Sequence, residues 1–209
     1  MFRLIVQELP LNYPPYRENK YVAIKALNGH YTSMIKKRLV WELEALMKMS
    51  EQQPRSPHCL NLLSSFTIPG KGSAGEHMCL VTQLLGGDLN ALWKSGNGKP
   101  FPLNLAKRVL LHVLRGISHA HACGVVHTDL KHDNIFFDAG VSDEEIEKWT
   151  KSDPPRVHLP ERSQDGIVQA AVSQPLPLPS WDEALKRTFV VADFGNGMAS
   201  SPTMKTHIS

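Results

Sequence analysis

The stretch VVHTDLKHDNIFFD, residues 125–138, decides the fold of this chain. It places short apolar pairs around a polar and charged centre, a pattern typical of a loop between two small strands. The segment before it, residues 103–123, has apolar residues near a four-residue period and ends at Gly124. This pattern predicts a helix with a glycine just beyond its last residue. The charged residues of the stretch therefore belong to a loop that follows a helix.

Two further short motifs lie on predicted strands. Lys25 stands in the middle of the apolar run YVAIKAL, and Asp193 opens the sequence DFGNG directly after the apolar run TFVVA, residues 188–192. Each residue also has an ordinary structural interpretation. A lysine in a strand can protect a sheet edge from aggregation, and Asp129 or Asp193 can simply form a turn. The order of the three motifs, on a strand, a loop after a helix and a turn after a strand, favours a functional interpretation.

The remaining periodicities indicate an α+β fold. Residues 33–49 have apolar side chains at three- and four-residue steps, which predicts a helix, and the runs 59–68 and 77–85 predict a β-hairpin. A helical pattern follows Gly87-Asp88, and a short helix is expected over 143–151 with Ser142 as its N-cap. We therefore expect a small antiparallel sheet with one long helix, followed by a partly helical unit.

Composition excludes several classes of protein. The chain has 209 residues, 42% of them hydrophobic and 21% charged, and its net charge is +3. This balance favours neither a nucleic-acid-binding nor a membrane-surface protein, and no apolar run is long enough for a transmembrane helix. The three cysteines, Cys59, Cys79 and Cys123, lack CxxC spacing and favour reduced thiols in the cytoplasm or nucleus.

The motifs VAIK (22–25), HTDLKHDN (127–134) and DFG (193–195), taken in order, resemble the signature of eukaryotic serine/threonine protein kinases. The resemblance implies a protein-kinase-like fold, with a small antiparallel-sheet N-lobe carrying one long helix and a partial helical C-lobe. It also implies ATP-dependent phosphorylation of serine or threonine in protein substrates, with ATP and Mg²⁺ as cofactors. Neither nucleic acid nor a membrane is an expected partner.

The resemblance assigns catalytic roles to four residues. Lys25 would contact the α- and β-phosphates, and Glu42 would pair with Lys25 and hold it in place. Glu44 is an alternative partner, but it lies two positions along the predicted helix and points to another face. Asp129 would accept or orient the proton of the substrate hydroxyl, and Lys131 would stabilise the phosphoryl group during transfer.

The same resemblance assigns the nucleotide and metal sites. Asn134 and Asp193 would hold Mg²⁺, and Lys25 would contact the phosphates of the nucleotide. Thr82 would stand as the gatekeeper before a hinge formed by Gln83 to Leu85. Ala23 and Phe136 would sandwich the purine. The residues expected around the adenine are Ala23, Thr82, Gln83, Leu85 and Phe136. In addition, His127, Phe194 and Leu46 match the apolar stack that joins the two lobes.

Three features narrow the resemblance to the kinases of serine/arginine-rich splicing factors. They are Thr128 in HTD, Asn196 after DFG, and the sequence GHYT at 29–32. The long segment between Asn134 and Asp193 resembles fungal members of that group. Thr128 stands where most protein kinases have the arginine of an HRD motif, which binds a phosphate on the activation loop. Because threonine cannot do this, we hypothesise that the full-length enzyme needs no phosphorylation of its activation loop.

The chain also departs from the family. No glycine precedes Gly29, so the expected Gly-rich loop is missing from residues 1–19, and no APE-like motif follows DFG. We divide the chain into this atypical segment, the N-lobe and start of the C-lobe (20–137), a partly disordered insertion (138–186), and the DFG strand with a truncated activation segment (187–209). The alternatives to a kinase are a non-catalytic pseudokinase or protein-binding module, and an incomplete gene model. We expect the 103–123 helix to expose apolar surface and the isolated chain to be poorly soluble.

Overall fold

Four strands form the first sheet, and all neighbouring strands in it are antiparallel. They are β1 Arg3–Glu8, β2 Tyr21–Ala26, β3 Leu62–Pro69 and β4 Glu76–Gln83, in the order β1-β2-β4-β3. The computed structural model describes residues 3–8 by their backbone, and residues 21–154, 156–163, 166–169, 172 and 175–199. The predicted hairpin is confirmed as β3 and β4.

Strand β2 is an inner strand of this sheet, and its two faces differ. Val22 and Ile24 are buried in a small apolar cluster with side chains of β4. Side chains alternate along a strand, so Ala23 and Lys25 point to the opposite face. Ala23 is only 4% exposed, and the residue directly across from Lys25 is Leu80 of β4. The alternation therefore turns the lysine of this inner strand away from the apolar cluster that holds Val22 and Ile24.

Two helices, α1 Gly29–Lys36 and α2 Glu42–Glu51, follow β2. The single long helix predicted over 33–49 is therefore wrong. Arg38 takes a φ of 57°, a left-handed conformation that ends a helix. Helix α1 also begins earlier than predicted, because the side chain of Asn28 accepts a hydrogen bond from the Tyr31 N–H and caps it. The break allows α2 to begin with a glutamate in its first turn.

The rest of the chain alternates short strands with helices. Its elements are β5 Leu85–Asp88, α3 Leu89–Ser95, α4 Leu103–Ala122, β6 Val125–Val126, β7 Ile135–Asp138, α5 Asp143–Ser152, β8 Glu161–Ser163, β9 Gly166–Val168, α6 Trp181–Ala184, β10 Phe189–Val191 and β11 Met198–Ala199. The predicted helices α3, α4 and α5 are confirmed, and Ser142 caps α5 in a capping box with Glu145.

The short strands pair in three small sheets, ordered β10-β7-β5, β11-β6 and β8-β9. The loop 127–134 thus runs between β6 and β7, as its sequence predicts, and β10 lies beside β7. This pairing brings the turn after β10 next to the loop. The α+β kinase-like fold class is confirmed in its small antiparallel sheet and its helices.

One apolar core joins the sheet to the helices. Leu80 of β4 and Leu27, which follows β2, belong to this core on the side of the first sheet. The helices, β7, β10 and the turn after β10 contribute Leu46, Met49, Leu92, Leu105, Phe137, Phe189 and Phe194. The opposite face of α4 carries exposed leucines, namely Leu103, Leu110, Leu111 and Leu114. No helix in the described part of the chain is long and apolar enough to span a membrane.

The last part of the 138–186 segment packs on the body of the fold. The ring of Trp181 lies edge-on to that of Phe101, with centroids 5.6 Å apart, and its Nε1 donates to the Leu92 carbonyl at 3.4 Å. Ala184 in the same short helix α6 is completely buried. This end of the segment is therefore anchored on α3. Partial disorder elsewhere in 138–186 stays a prediction.

Candidate active site

Lys25 and Glu42 form an ion pair between β2 and the start of α2. Lys25 Nζ lies 2.5 Å from Glu42 Oε1, and the glutamate side chain is only 1% exposed. The alternative partner, Glu44, is only partly buried and makes no ion pair with Lys25. Residues two positions apart face different sides of a helix, which is why α2 can present only one of them to the lysine.

Asp193 reaches the same lysine from the turn after β10. Its Oδ1 lies 3.2 Å from Lys25 Nζ, and its side chain is 46% exposed. The residue takes a φ of 60° and a ψ of 65°, a left-handed conformation that aspartate adopts more readily than most residues. One ammonium therefore contacts two carboxylates that come from distant parts of the sequence. We call Lys25, Glu42 and Asp193 the cleft cluster.

The cleft cluster holds its charges against the cost of burial. Burial by itself lowers the pKa of Lys25, but the charges of Glu42 and Asp193 outweigh that effect, and the net pKa is raised. Burial raises the pKa of Glu42, and the charge and hydrogen bond of Lys25 oppose this. Lys25 therefore remains a cation at neutral pH, as a group that binds phosphate must.

The loop 127–134 brings together Asp129, Lys131 and Asn134. Lys131 Nζ donates to Asp129 Oδ2 at 2.7 Å, and Asn134 Nδ2 donates to the Asp129 carbonyl oxygen at 2.9 Å. The hydrogen bond to Asp129 raises the pKa of Lys131, so the lysine keeps its charge. Thr128 has a φ of 62°, which turns the backbone sharply just before Asp129. The loop therefore presents a carboxylate, an ammonium and an amide side by side.

His127 ties this loop to the turn that carries Asp193. Its Nε2 lies 2.9 Å from the Ala192 carbonyl, and the Asp129 N–H points at its Nδ1 at 3.3 Å. With these partners, Nε2 donates to the carbonyl oxygen and Nδ1 accepts from the N–H. The imidazole also contacts the Phe194 ring, with centroids 4.7 Å apart. Leu46 is buried in the same apolar core as Phe194. The role of His127, Phe194 and Leu46 as a stack that joins the two lobes stays a prediction.

The residues predicted around the adenine lie on two consecutive strands and on their neighbours. Ala23 of β2 is directly opposite Thr82 of β4, and both are buried. Only Leu84 separates the end of β4 from Leu85, where β5 begins and the chain enters the second sheet. Phe136 lies on β7, which pairs with β5. The predicted hinge is thus the direct link between the two sheets.

The side chain of Gln83 is used within the fold. Its Oε1 accepts a hydrogen bond from the Asn61 N–H at 3.0 Å, and its carbonyl accepts one from the Thr82 hydroxyl at 3.3 Å. The bond from Asn61 holds the end of β4 against the segment that enters β3. The predicted roles of the adenine-site residues stay predictions, since the structure gives their positions alone.

Sequence reasoning missed Tyr31 as a site residue. It lies in GHYT, a stretch noted only as a mark of resemblance. Its helix, α1, begins at Gly29, whereas the sequence predicts a helix only from residue 33. Burial and the charge of Glu42 raise the pKa of its phenol, while Lys25 acts in the opposite direction. Tyr31 therefore lies close to the cleft cluster. The sequence motif was the available signal, but the early start of α1 was needed to place it.

The polar groups of the site fit Mg²⁺ and a nucleotide phosphate. Asp193 offers a partly exposed carboxylate. Asn134 uses Nδ2 for both of its hydrogen bonds, which leaves the side-chain oxygen for a cation. Carboxylate and amide oxygens are ligands that Mg²⁺ accepts, and Lys25 supplies the positive charge that phosphates require.

A model of the protein kinase domain family matches residues 15–146, which is more than half of the chain. The chain belongs to the protein kinase family. Among solved structures, this kinase chain is similar to the crystal structure of the PF14_0431 kinase domain, with a TM-score of 0.54 and 19% identity. The match covers 99% of this chain and 49% of the other, and it supports the fold alone.

Three curated kinases illustrate the similarity in sequence. The serine/threonine-protein kinase SRPK of Physarum polycephalum is 38% identical over 99 residues, covering 46% of this chain and 23% of the relative. SKY1 of Saccharomyces cerevisiae is 31% identical over 127 residues, covering 58% and 17%. SRSF protein kinase 3 of Homo sapiens is 29% identical over 130 residues, covering 59% and 22%. The chain therefore matches less than a quarter of each relative's length.

Proposed function

We propose that this chain carries the ATP-binding and catalytic centre of a protein serine/threonine kinase. The observation that carries the proposal is the cleft cluster, in which Lys25 Nζ contacts both Glu42 and Asp193. An isolated structural ion pair needs only one carboxylate. The second, partly exposed carboxylate suits a cation bound beside the phosphates that the lysine contacts.

Each residue of the site has a role in phosphoryl transfer. Lys25, held by Glu42, binds the α- and β-phosphates, while Asp193 and Asn134 would hold Mg²⁺. Bound Mg²⁺ supplies positive charge that neutralises the charge developing on the phosphates. Asp129 orients the substrate hydroxyl and accepts its proton at the carboxylate. Because Lys131 donates to Asp129 Oδ2, its ammonium lies beside that carboxylate, where it stabilises the phosphoryl group during transfer.

The substrates we propose are Arg/Ser-rich splicing factors. Curated relatives include proteins named SRSF protein kinase 3, and the chain carries the sequences HTD and GHYT, on which its resemblance to the kinases of serine/arginine-rich splicing factors rests. A site for such proteins must accept a serine flanked by guanidinium groups. We also propose that the protein resides in the cytoplasm and nucleus. Its three cysteines are all free thiols, which suits a reducing compartment, and fluorescence microscopy of the tagged protein tests this.

Thr128 supports a proposal about regulation. A threonine in this position offers no cation for a phosphate on the activation loop. We propose that the full-length enzyme is active without phosphorylation of that loop. Phosphatase treatment of a full-length relative should leave its activity intact, and loss of activity would refute the proposal.

The deciding experiment measures phosphate transfer from Mg–ATP to a peptide of Arg-Ser repeats by the purified chain. Asp129→Asn should reduce the rate by about 10²–10⁴-fold, the usual contribution of a positioned general base. Asp133→Asn is the matched control. Its carboxylate lies on the same loop but is bound by Asn90 and His132, so the rate should stay close to that of the unaltered chain. A peptide with lysine in place of arginine tests the substrate class.

A non-catalytic, nucleotide-binding protein is the second candidate, favoured by the absence of any glycine before Gly29. The melting temperature with and without Mg–ATP separates the two functions. A shift without phosphate transfer would support the non-catalytic protein. Equal transfer rates for the unaltered chain and Asp129→Asn would overturn the proposed mechanism.

A further inference from the structure

Three side-chain oxygens converge on Gly195, the residue that lacks a side chain in the DFG turn. A β-carbon at this position would lie 2.8 Å from the Tyr31 hydroxyl, 3.5 Å from Asp193 Oδ1 and 3.8 Å from Glu42 Oε2. The oxygens come from α1, from the turn after β10 and from α2. The phenol oxygen and one oxygen of each carboxylate of the cleft cluster therefore border the same point beside Gly195.

One of these oxygens needs a hydrogen-bond donor. Glu42 Oε2 is buried, and no described residue donates to it, while its other oxygen is bound to Lys25. Leaving a buried carboxylate oxygen without a donor is costly, and native proteins rarely do so. The donor to look for is one that stands close by and can reach this oxygen with a small movement.

Tyr31 meets these requirements. Its burial and the nearby carboxylates raise the pKa of the phenol, so the hydroxyl keeps its proton and remains a donor. The backbone of Tyr31 is fixed, because its N–H is bound to the side chain of Asn28 at the start of α1. The Tyr31 hydroxyl and Glu42 Oε2 both lie within 4 Å of the same point beside Gly195, and a side-chain rotation or one bridging water would join them.

We infer that Tyr31 is a positioning residue that supplies the missing hydrogen bond to Glu42 and thereby holds the glutamate against Lys25. Gly195 is part of this arrangement, because only the absence of a β-carbon gives the hydroxyl its space. The backbone at Gly195 does not require glycine, since its φ is not positive. An alanine there would meet the phenol oxygen rather than the backbone, so the Tyr31 side chain would have to move away.

The test measures how fast acetic anhydride acylates Lys25, by mass spectrometry, relative to the exposed Lys99 in the same chain. An ammonium held by Glu42 reacts slowly. Tyr31→Phe removes only the hydroxyl and should raise the relative rate about fivefold, the factor expected for one ordinary hydrogen bond. Gly195→Ala should raise it similarly. In the double variant Tyr31→Phe/Gly195→Ala the increases should not multiply, because the methyl group then occupies the space that the oxygen has left.

Two outcomes overturn the inference. One is a relative rate in Tyr31→Phe within twofold of the unaltered chain. The other is an equal effect of Gly195→Ala with and without the hydroxyl. If Gly195→Ala does not fold, Tyr31→Phe alone decides. The inference rests on the proposed function for its catalytic meaning, but acylation needs no nucleotide. Failure of phosphate transfer and failure of the Tyr31 contact are therefore seen separately.

Discussion

Two clusters of polar side chains hold β10 and the turn that follows it, and their electrostatics are opposite. At the turn, the cleft cluster of Lys25, Glu42 and Asp193 is made of charges. At the start of β10, His58 and His112 stack with ring centroids 4.3 Å apart, and both are buried. We call these two residues the histidine pair.

Burial keeps the histidine pair neutral, and hydrogen bonds determine which nitrogen of each ring carries the proton. His58 Nδ1 lies 3.2 Å from the Phe189 carbonyl, and the Phe189 N–H points at His112 Nδ1 at 3.1 Å. His58 must therefore carry a proton on Nδ1 and His112 must not. Burial lowers the pKa of both rings, that of His112 to about 4, with the charges of Arg108 and Arg115 acting in the same direction.

The comparison separates two reasons for burying polar groups. The histidine pair satisfies the backbone N–H and carbonyl of Phe189, on the edge strand β10, and carries no charge, which keeps the free-energy cost of its burial low. The cleft cluster buries the Glu42 carboxylate, and among the described residues no donor lies at hydrogen-bond distance from its Oε2, so its burial costs more free energy. A protein retains such a group where its charge has a use. Stability measurements can test whether the two groups differ in this way.

The largest expected effect is that of Lys25→Met. It leaves Glu42 buried without its cation, and removing one partner of a buried pair typically costs about 3 kcal/mol. We expect a loss of this size in the free energy of unfolding, measured by urea denaturation at pH 7. The double variant Lys25→Met/Glu42→Leu should recover most of the loss, because it removes both charges.

Lys36→Met is the matched control. Lys36 pairs with Glu76 on the surface, where the two side chains are 48% and 59% exposed. Exposed pairs contribute roughly 0–1 kcal/mol, so this variant should be close to the unaltered chain. Equal losses for Lys25→Met and Lys36→Met would show that the cleft cluster has no special energetic role.

Acid should act on the histidine pair. The pKa of His112 is about 4 in the folded chain, below the ordinary value of 6.5, so the unfolded chain binds the proton first as the pH falls. The stability is fully present above about pH 6.5 and is lost as the pH falls toward 4. We expect His112 to account for a loss of about 2 kcal/mol in unfolding free energy between pH 7 and 4.5.

His112→Asn isolates this contribution. Asparagine can place an acceptor near the Phe189 N–H but does not titrate, so the variant should lose about 2 kcal/mol less than the unaltered chain over the same pH range. His30→Asn, on the exposed side of α1, should leave the pH dependence unchanged. An identical pH dependence in His112→Asn and the unaltered chain would contradict the prediction.

A smaller effect is expected where α4 approaches the histidine pair. A β-carbon at Gly116 would lie 2.4 Å from the His58 carbonyl oxygen and 3.0 Å from Val191 Cγ2. Glycine to alanine in a helix ordinarily stabilises by roughly 1 kcal/mol. Here we expect Gly116→Ala to destabilise by about 1–2 kcal/mol in urea denaturation, the usual cost of overpacking. A stabilised variant would mean that α4 can move away from His58 and Val191 without cost.

Sequence reasoning located these regions unequally. Strong periodicity identified α4 and the β3–β4 hairpin, and the family resemblance together with the helix face paired Lys25 with Glu42 rather than Glu44. It did not predict the break at Arg38, because the left-handed residue there is neither glycine nor proline. It also missed the histidine pair. Contacts between residues far apart in the chain depend on packing and leave no spacing to detect.

The smallest effect should come from the exposed leucines of α4. Leu110 and Leu114 are each 59% exposed. Leu110→Gln/Leu114→Gln should change the unfolding free energy by roughly 0.5 kcal/mol or less, but should increase solubility in light-scattering measurements. The buried control Leu105→Ala, at a fully buried position of the same helix, should cost about 3 kcal/mol. If the double variant destabilised as much as Leu105→Ala, this face of α4 would be packed against other parts of the protein.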